Sequence, residues 1–128
     1  MQRVIGVRDP FRITDSAVEA LGVPVAIELL DVGASCRSQD TEEAVRRLRA
    51  AGCAALVVLG GDGTSRVVAR RWPEAPMLPL STGTNNVFPM SIEATIAGAA
   101  AGLVAAGRVP LLQAAARCKV VRVEIEGE

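Results

Sequence analysis

The chain has few aromatic side chains, no histidine and no net charge. Its 128 residues include two Phe, one Trp and no Tyr or His. A core must therefore be built from Val, Leu, Ile and Ala, which suits helices packed closely on a sheet. Without histidine, a Cys/His zinc site and a Cys–His nucleophile pair are excluded. Lys and Arg number 14, as do Asp and Glu, so the formal net charge is zero, and composition offers no electrostatic basis for binding nucleic acid.

Cysteines are few, and long apolar runs are missing. Cys36, Cys53 and Cys118 are odd in number and have no CxxC spacing, which predicts reduced thiols and a cytoplasmic location. The N-terminus has no signal-peptide pattern. The alanine-rich stretch 92–106 is shorter than the roughly 20 residues that a membrane span needs. We therefore expect neither nucleic acid nor a membrane as a partner.

Short β-branched runs alternate with helical patterns, which favours an α/β fold with a parallel sheet. The patterns predict strands and helices over the ranges 3–7, 25–30, 54–59 and 77–80 (strands) and 15–21, 40–51, 65–72 and 91–106 (helices). Asp40 and Ser91 are predicted to cap the second and last helices. The second helix has Glu42 and Glu43 four residues before Arg46 and Arg47, and the last has an apolar stripe formed by Ile92, Ile96, Ala99 and Leu103.

The end of the chain has a different pattern. Residues 119–126 alternate between apolar and charged side chains, which is typical of a half-exposed strand. No further strand follows to pair with it, and an unpaired strand edge promotes self-association. We therefore expect a homo-oligomer formed through this C-terminal strand.

The most informative stretch is 56–64, where an apolar strand runs into Gly60-Gly-Asp-Gly-Thr64 and then a helix start. Glycines allow close approach to the main chain, and the N–H groups at a helix start attract phosphate. Asp62 would repel a phosphate unless a cation or a hydroxyl lay between them. The loop therefore indicates kinase chemistry, with Mg²⁺ or a deprotonated hydroxyl near Asp62. The alternative is a plain tight turn, since Gly and Asp are common in turns.

A second polar loop, Ser81-Thr-Gly-Thr-Asn-Asn86, follows the next predicted strand. Ligands bind at the carboxyl ends of parallel strands, so the two loops should face each other across one crevice. A generic polar loop is the alternative for this segment alone. Neither loop is a Walker A sequence, because no Lys-Ser/Thr follows the glycines. Nor is the first a dinucleotide fingerprint, since Arg66 stands where its last glycine belongs.

Together, the strings GGDGT at 60–64 and LSTGTNNVFP at 80–89 resemble the NAD kinase/diacylglycerol kinase superfamily and, within it, the ATP-NAD/AcoX group. The likeness runs from about residue 27 to residue 110. It implies a Rossmann-like three-layer fold, with a parallel sheet between helices on both faces, and phosphoryl transfer from ATP to a hydroxyl acceptor such as NAD, as in NADP biosynthesis. The alternatives are a lipid or small-metabolite kinase of the diacylglycerol kinase-like branch and a non-catalytic nucleotide-binding module.

The resemblance also implies roles for individual residues. Asp62 would act as the general base on the acceptor hydroxyl, or would hold Mg²⁺ indirectly beside the ATP phosphates. The nucleotide-binding positions implied by the two motifs are Gly60, Gly61, Gly63, Thr64, Thr82, Gly83, Thr84, Asn85 and Asn86.

The chain departs from the family pattern at both ends. Family members usually have a second, β-rich domain that completes the site, so residues 1–118 would be the α/β nucleotide-binding domain and 119–128 the start of the second domain. The Asn-Pro-containing glycine loop near the family N-terminus is missing, and Arg8-Asp9-Pro10 is a poor substitute. We therefore expect a shortened chain that is incomplete for catalysis by itself.

Overall fold

The computed structural model describes residues 3–22 and 25–126, and its helices and strands alternate through most of the chain. In chain order they are β1 (Val4–Val7), α1 (Ile13–Ala20), β2 (Ile27–Leu30), α2 (Ser38–Ala50), β3 (Leu56–Gly60), α3 (Asp62–Arg71), β4 (Met77–Ser81), α4 (Ala94–Ala105) and α5 (Leu111–Ala114). The predicted α/β class is therefore confirmed. The four strands and four longer helices lie near their predicted positions, whereas the short α5 was not predicted.

The strands form two parallel pairs instead of one continuous sheet. β1 pairs with β2, and β3 pairs with β4. No ladder joins the two pairs within the described ranges 3–22 and 25–126. The single three-layer sheet expected from the resemblance is thus not confirmed. The β3–β4 register places Gly60 opposite Ser81, so these two strands end side by side.

The core lies where α2 and α3 cover one face of the β3–β4 pair. Val45 on α2, Leu56 on β3 and Val68 on α3 are each at most 6% exposed and form one cluster. Burying a side chain of this size contributes roughly 1.5–3 kcal/mol. Partly buried side chains pack around the cluster: Leu48, Cys53, Val58, Trp72, Ala75 and Met77. The core thus anchors the β3–β4 pair mainly at its amino end, where Leu56 and Met77 begin the two strands, and the loops follow at the carboxyl end.

The start of α2 differs from the prediction. The helix begins at Ser38, so Asp40 lies in its first turn and is not the N-cap; the Asp40 carboxylate instead accepts a hydrogen bond from the Ser35 hydroxyl. Sequence spacing missed this start because the preceding residue, Arg37, caps the helix without a side-chain hydrogen bond.

The predicted ion pairs of α2 are partly rearranged. Glu43 pairs with Arg47, as predicted, and also with Arg46. Hydrogen bonds from these two guanidinium groups, chiefly that of Arg46, lower the pKa of Glu43 to about 2. Glu42 pairs with Arg71 on α3 and not with Arg46, because the packing of α2 on α3 brings a second cation within reach.

The long C-terminal helix also starts later than predicted. α4 begins at Ala94, and its N-cap is Glu93, whose carboxylate accepts the N–H groups of Thr95 and Ile96. These bonds, that of Thr95 first, lower the pKa of Glu93. The prediction of Ser91 as the cap was therefore wrong. The Glu93 side chain satisfies N–H groups of the first turn, as the shorter Ser, Thr, Asp and Asn side chains do at most N-caps.

The apolar stripe of α4 faces away from the core. Ile96 is 64% and Leu103 49% exposed, and Ile92 and Ala99 are exposed as well. The helix instead packs through Ala97, which is 1% exposed. Ile96 faces solvent, whereas Leu103 and Val104 line a groove together with Leu56 and Met77 of the strands, so α4 has apolar side chains on both sides. No helix among residues 3–22 and 25–126 is long and apolar enough to cross a membrane.

Residues 119–126 do not form the predicted strand. The segment has no regular secondary structure, and its apolar side chains, among them Val123 and Ile125, are at least 70% exposed. Alternation predicts a strand only where a neighbouring strand accepts its hydrogen bonds, and none lies beside this segment in the part of the chain that the structure describes.

Candidate functional site

The two polar loops lie next to each other at the carboxyl ends of β3 and β4. Gly60, the last residue of β3, is in register with Ser81, the last residue of β4. The N–H of Thr82 donates to the carbonyl of Gly60 over 3.4 Å, so contact between the chains continues into the loops. The predicted crevice position therefore follows from the register of one parallel pair.

The first loop is shorter than predicted because α3 begins inside it. Gly61 is the N-cap, with extended φ and ψ of −104° and −169°, and Asp62 is the first helical residue. The sequence prediction had placed Gly60–Thr64 before the helix. The following N–H groups, of Gly63 and Thr64, belong to the first helical turn, where donors have no carbonyl partner inside the helix. These donors give the loop a positive electrostatic end.

The Asp62 carboxylate bridges to the second loop. One oxygen accepts the N–H of Phe88 over 2.9 Å, and both oxygens lie within 3.2 Å of the N–H of Val87. Two consecutive backbone donors thus hold the carboxylate. Hydrogen bonds with a charged partner contribute about 1.5–3 kcal/mol, so this contact links the loops more strongly than a neutral contact would.

Asn86 completes the link from the other side. Its side-chain oxygen accepts the backbone N–H of Asp62 over 3.3 Å, and its side-chain nitrogen donates to the Ser81 hydroxyl over 2.9 Å. That hydroxyl donates in turn to the carbonyl of Gly83 over 2.9 Å. Asn86 therefore has both polar atoms bound within the protein. The Asn86 side chain therefore organises the two loops through one hydrogen bond at each of its polar atoms.

The lack of a side chain at Gly61 makes room for Asn86. A Cβ placed on Gly61 would lie 2.7 Å from the Asn86 side-chain oxygen, inside any normal contact distance. Gly63 lies two residues later, and a Cβ placed there would have no atom within 4 Å. The first glycine is therefore required by packing within the protein, whereas the second leaves space open to solvent beside the start of the helix.

Other predicted site residues face solvent around this link. Thr82, Gly83, Thr84 and Asn85 are exposed. In the described part of the chain, the side chains of Thr82, Thr84 and Asn85 make no hydrogen bond to protein. Their hydroxyl and amide groups are available to oxygen-rich ligands. The Thr64 side chain, in contrast, lies against Gly60, where a Cβ would be 2.7 Å from its hydroxyl oxygen.

The site is an open edge and not an enclosed cavity. A concavity of about 670 Å³ lies elsewhere, between α2 and Arg71 of α3, and is lined by side chains that already form ion pairs, including Glu42 and Glu43. Within residues 3–22 and 25–126, no cluster of three His, Cys, Asp or Glu side chains could hold a metal by itself. Asp62 is the carboxylate that the two loops offer.

Sequence reasoning missed the contributions of Ser81, Val87 and Phe88. Ser81 acts through its hydroxyl at the end of β4. The motif contains this position, but nothing in the sequence pattern distinguishes it from its neighbours. Val87 and Phe88 act through their backbone N–H groups, which no side-chain pattern reveals. The signal that could have found them is their position directly after Asn86, since a loop that returns to Asp62 must bring its next amides with it.

Asp9 also differs from a phosphate-binding loop residue. Its carboxylate accepts the N–H groups of Phe11, Ile13 and Thr14, and these bonds, chiefly that of Thr14, lower its pKa. Asp9 thus stabilises the start of α1. Its contacts are those of a helix-capping side chain.

Comparison with known proteins gives two matches. Residues 10–109 match the family described as ATP-NAD kinase N-terminal domain. The chain is also 49% identical over 98 residues to a protein of Cupriavidus necator named acetoin catabolism protein X. That alignment covers 77% of this chain and 27% of the relative, so the chain spans about a quarter of that curated relative's length. No solved structure matches the chain.

The matched range includes both loops and the strands that position them. It begins at Pro10, ends at Val109 and covers more than half of the chain. The resemblance suggested by the motifs is therefore confirmed. The chain belongs to the ATP-NAD kinase N-terminal domain family.

Proposed function

We propose that this chain is the nucleotide-binding domain of a kinase that transfers the γ-phosphoryl group of ATP to a hydroxyl, with NAD as the acceptor. The observation that carries the proposal is the link from Asp62 to Val87 and Phe88. It brings one carboxylate, the start of a helix and a row of free polar side chains to the same edge. Family membership supports the use of ATP and NAD.

In the proposed reaction, the acceptor oxygen attacks the γ-phosphorus of ATP. An O–P bond forms to the acceptor, the bond from the γ-phosphorus to the bridging oxygen breaks, and ADP leaves with that electron pair. The proton of the acceptor hydroxyl passes to the Asp62 carboxylate. Such transfers depend mainly on positioning and charge neutralisation, which suits a site made of backbone donors and one acid.

The exposed loop residues would orient the nucleotide. The N–H groups of Gly63 and Thr64 point toward the space before α3, where phosphate oxygens are stabilised. Thr82, Thr84 and Asn85 can donate to or accept from sugar and phosphate oxygens. Gly63 leaves open space for the ligand beside the start of α3. Gly60 makes room for Thr64, and Gly61 and Gly83 make room for Asn86, which holds the loops in place.

A magnesium ion would accompany ATP. Mg²⁺ is usually held by one or two carboxylates, several waters and the substrate phosphates, and Asp62 would hold it indirectly, beside the ATP phosphates. When bound, the ion neutralises charge on the phosphates. The chain's own contribution is one carboxylate, that of Asp62, at the start of α3 and next to the amides of Val87 and Phe88.

We propose further that the two strand pairs belong to one Rossmann-like sheet in the complete protein, with residues 119–128 beginning a β-rich second domain. The relative named acetoin catabolism protein X is about four times as long as the aligned segment, which leaves room for such a domain. The second domain would supply the rest of the acceptor site, so acceptor choice between NAD and another hydroxyl depends on it.

Two measurements on one set of variants test the proposed function. The first is thermal unfolding with Mg-ATP and with NAD, where a ligand at about 100 times its dissociation constant stabilises by about 2.7 kcal/mol. The second is phosphoryl transfer to NAD by the full-length protein. Asp62→Asn should reduce turnover by about 10²–10⁴-fold.

Asp40→Asn is the matched control, because Asp40 also lies in the first turn of a helix and its carboxylate accepts a hydrogen bond from Ser35 and from neither loop. It should leave both binding and turnover unchanged. Binding of both ligands without turnover would favour the non-catalytic module. Turnover with a lipid or another small hydroxyl compound, and none with NAD, would reassign the acceptor.

A further inference from the structure

The Asp62 carboxylate occupies a place that suits an anionic ligand group. Its two oxygens are held by the consecutive N–H groups of Val87 and Phe88 at distances of 2.9–3.2 Å. Consecutive backbone N–H groups that converge on one point form an anion-binding concavity. A carboxylate and one edge of a phosphate present similar oxygen pairs to such donors, so the two amides that bind Asp62 also match the geometry of a phosphate.

We propose that the amides of Val87 and Phe88 are a phosphate-binding site of the second loop, and that Asp62 blocks it until a ligand phosphate displaces the carboxylate. The ligand group is a phosphate of a nucleotide, an identification that rests on the proposed function. Displacement turns Asp62 away from the amides and frees both of its oxygens to accept the proton of a hydroxyl. Binding of the phosphate and release of the Asp62 carboxylate to act as the base then occur in a single step.

Charge explains why the exchange is reversible. A phosphate replaces one anion by another at the same donors, so the amides never lose a charged partner. The freed carboxylate remains beside the bound phosphate, and two like charges a few ångströms apart repel each other. The wild-type site therefore binds phosphate weakly, and removal of the Asp62 charge should strengthen binding.

The framework around this exchange stays in place when Asp62 moves. The backbone N–H of Asp62 remains bound to the Asn86 side chain, and Asn86 remains bound to Ser81. Only the Asp62 side chain has to rotate. Neighbouring exposed groups, Thr84 and Asn85, lie within the same loop, so a bound nucleotide phosphate has further donors close by.

The test is an amide-resolved NMR titration of the isotope-labelled chain with inorganic phosphate, at constant ionic strength with chloride as the reference anion. In Asp62→Ala, the Val87 and Phe88 signals should move saturably, with an apparent dissociation constant at least about 10-fold below that of wild type. Asp62→Asn, which keeps the shape of the side chain without its charge, should fall between the two. It also covers the case in which the alanine variant does not fold.

Glu93→Ala is the matched control, because Glu93 likewise accepts two consecutive amides, those of Thr95 and Ile96. In that variant the response at Val87 and Phe88 should equal that of wild type. Equal phosphate affinity in wild type, Asp62→Ala and Asp62→Asn would overturn the proposal. So would shifts confined to residues 61–64, because the phosphate would then bind at the helix start alone.

A second arm with metal-free ATP separates a nucleotide phosphate from free phosphate. In Asp62→Ala, ATP should move the same two signals at lower concentration than inorganic phosphate and should also move those of residues 82–85. Inorganic phosphate binding as tightly as ATP would overturn the nucleotide assignment. None of these readouts involves turnover, so the absence of kinase activity and the failure of the exchange can be told apart.

Discussion

The core formed by α2, β3 and α3 differs from helix α4 in where the large apolar side chains lie. In the half formed by α2, β3 and α3, the large side chains Val45, Leu56 and Val68 point inward and are buried. In α4, Ala97 is buried, whereas the larger side chains Ile96 and Leu103 are 64% and 49% exposed. The first region is a packed core next to two loops that are joined by hydrogen bonds. Helix α4 has an exposed apolar surface, and burial of that surface against another polypeptide would stabilise the helix.

The difference shows what the candidate site depends on. Both loops follow strands of the packed core, and hydrogen bonds of Asp62 and Asn86 join the two loops directly. No residue of α4 takes part in that link. The loop geometry should therefore be a property of the β3–β4 half, while α4 and the C-terminal segment should respond to association.

The largest expected effect is on the stability of the core. Leu56→Ala should lower the free energy of unfolding by about 2–4 kcal/mol, because a buried side chain is lost and a cavity remains. Leu103→Ala is the matched change on α4, where the side chain is 49% exposed, and should cost less than about 1 kcal/mol. Urea unfolding of both variants measures the contrast. Equal losses would show that the α4 stripe is as well packed as the core.

The two glycines of the first loop provide the next contrast. Gly61→Ala should destabilise by about 1–3 kcal/mol, because its Cβ would overlap the Asn86 side-chain oxygen. Gly63→Ala should stabilise by about 0.5–1 kcal/mol, since that position is helical and has open space for a Cβ. Thermal unfolding of both variants is the measurement. A neutral Gly61→Ala would mean that Asn86 does not sit beside Gly61.

Replacing Asn86 tests the link between the loops. Asn86→Ala leaves the N–H of Asp62 and the hydroxyl of Ser81 without this partner and should cost about 1–2 kcal/mol. Asn85→Ala, next to it but exposed, should change stability by less than about 0.5 kcal/mol. Unfolding in denaturant gives both values. If the two variants were indistinguishable, Asn86 would not be holding the loops together.

The smallest effect concerns association of the C-terminal segment. We propose that residues 119–126 pair with the same segment of a second copy, because exposed alternating side chains become half-buried in a strand pair. Val123→Lys should weaken self-association measured by light scattering over a concentration series. Val120→Lys makes the same change on the opposite face of such a strand and should weaken it less. Wild type that remains a monomer at the highest concentration would contradict the proposal.

The parts of the fold that could be predicted from sequence are those fixed by local patterns. An apolar run between Gly52 and Gly60 located β3, an apolar run between Pro76 and the second polar loop located β4, and the GGDGT and GTNN strings located the loops at their ends. The cap of α4 was missed because Glu93 reaches back to the helix start, which spacing rules do not anticipate. The outward direction of the α4 stripe was also missed, because periodicity identifies an apolar face without saying what it packs against.

The candidate site was predictable in its side chains but not in its backbone. Asp62 and Asn86 stood out as polar residues at strand ends. Sequence could not show that Asn86 hydrogen-bonds to Asp62 and Ser81, nor that Val87 and Phe88 hold the Asp62 carboxylate, because both facts depend on how the second loop returns to the first. The division of β1–β2 and β3–β4 into separate pairs likewise depends on tertiary contacts that no local pattern encodes.

The most direct test of the account is whether the two loops bind one ligand together. Amide-resolved NMR of the wild-type chain with Mg-ATP gives the answer residue by residue. We predict that the signals of residues 61–64 and 82–88 move with a single dissociation constant while those of α4 stay in place. Shifts in only one loop, or shifts centred on the concavity between α2 and Arg71, would contradict the assignment of a shared nucleotide site.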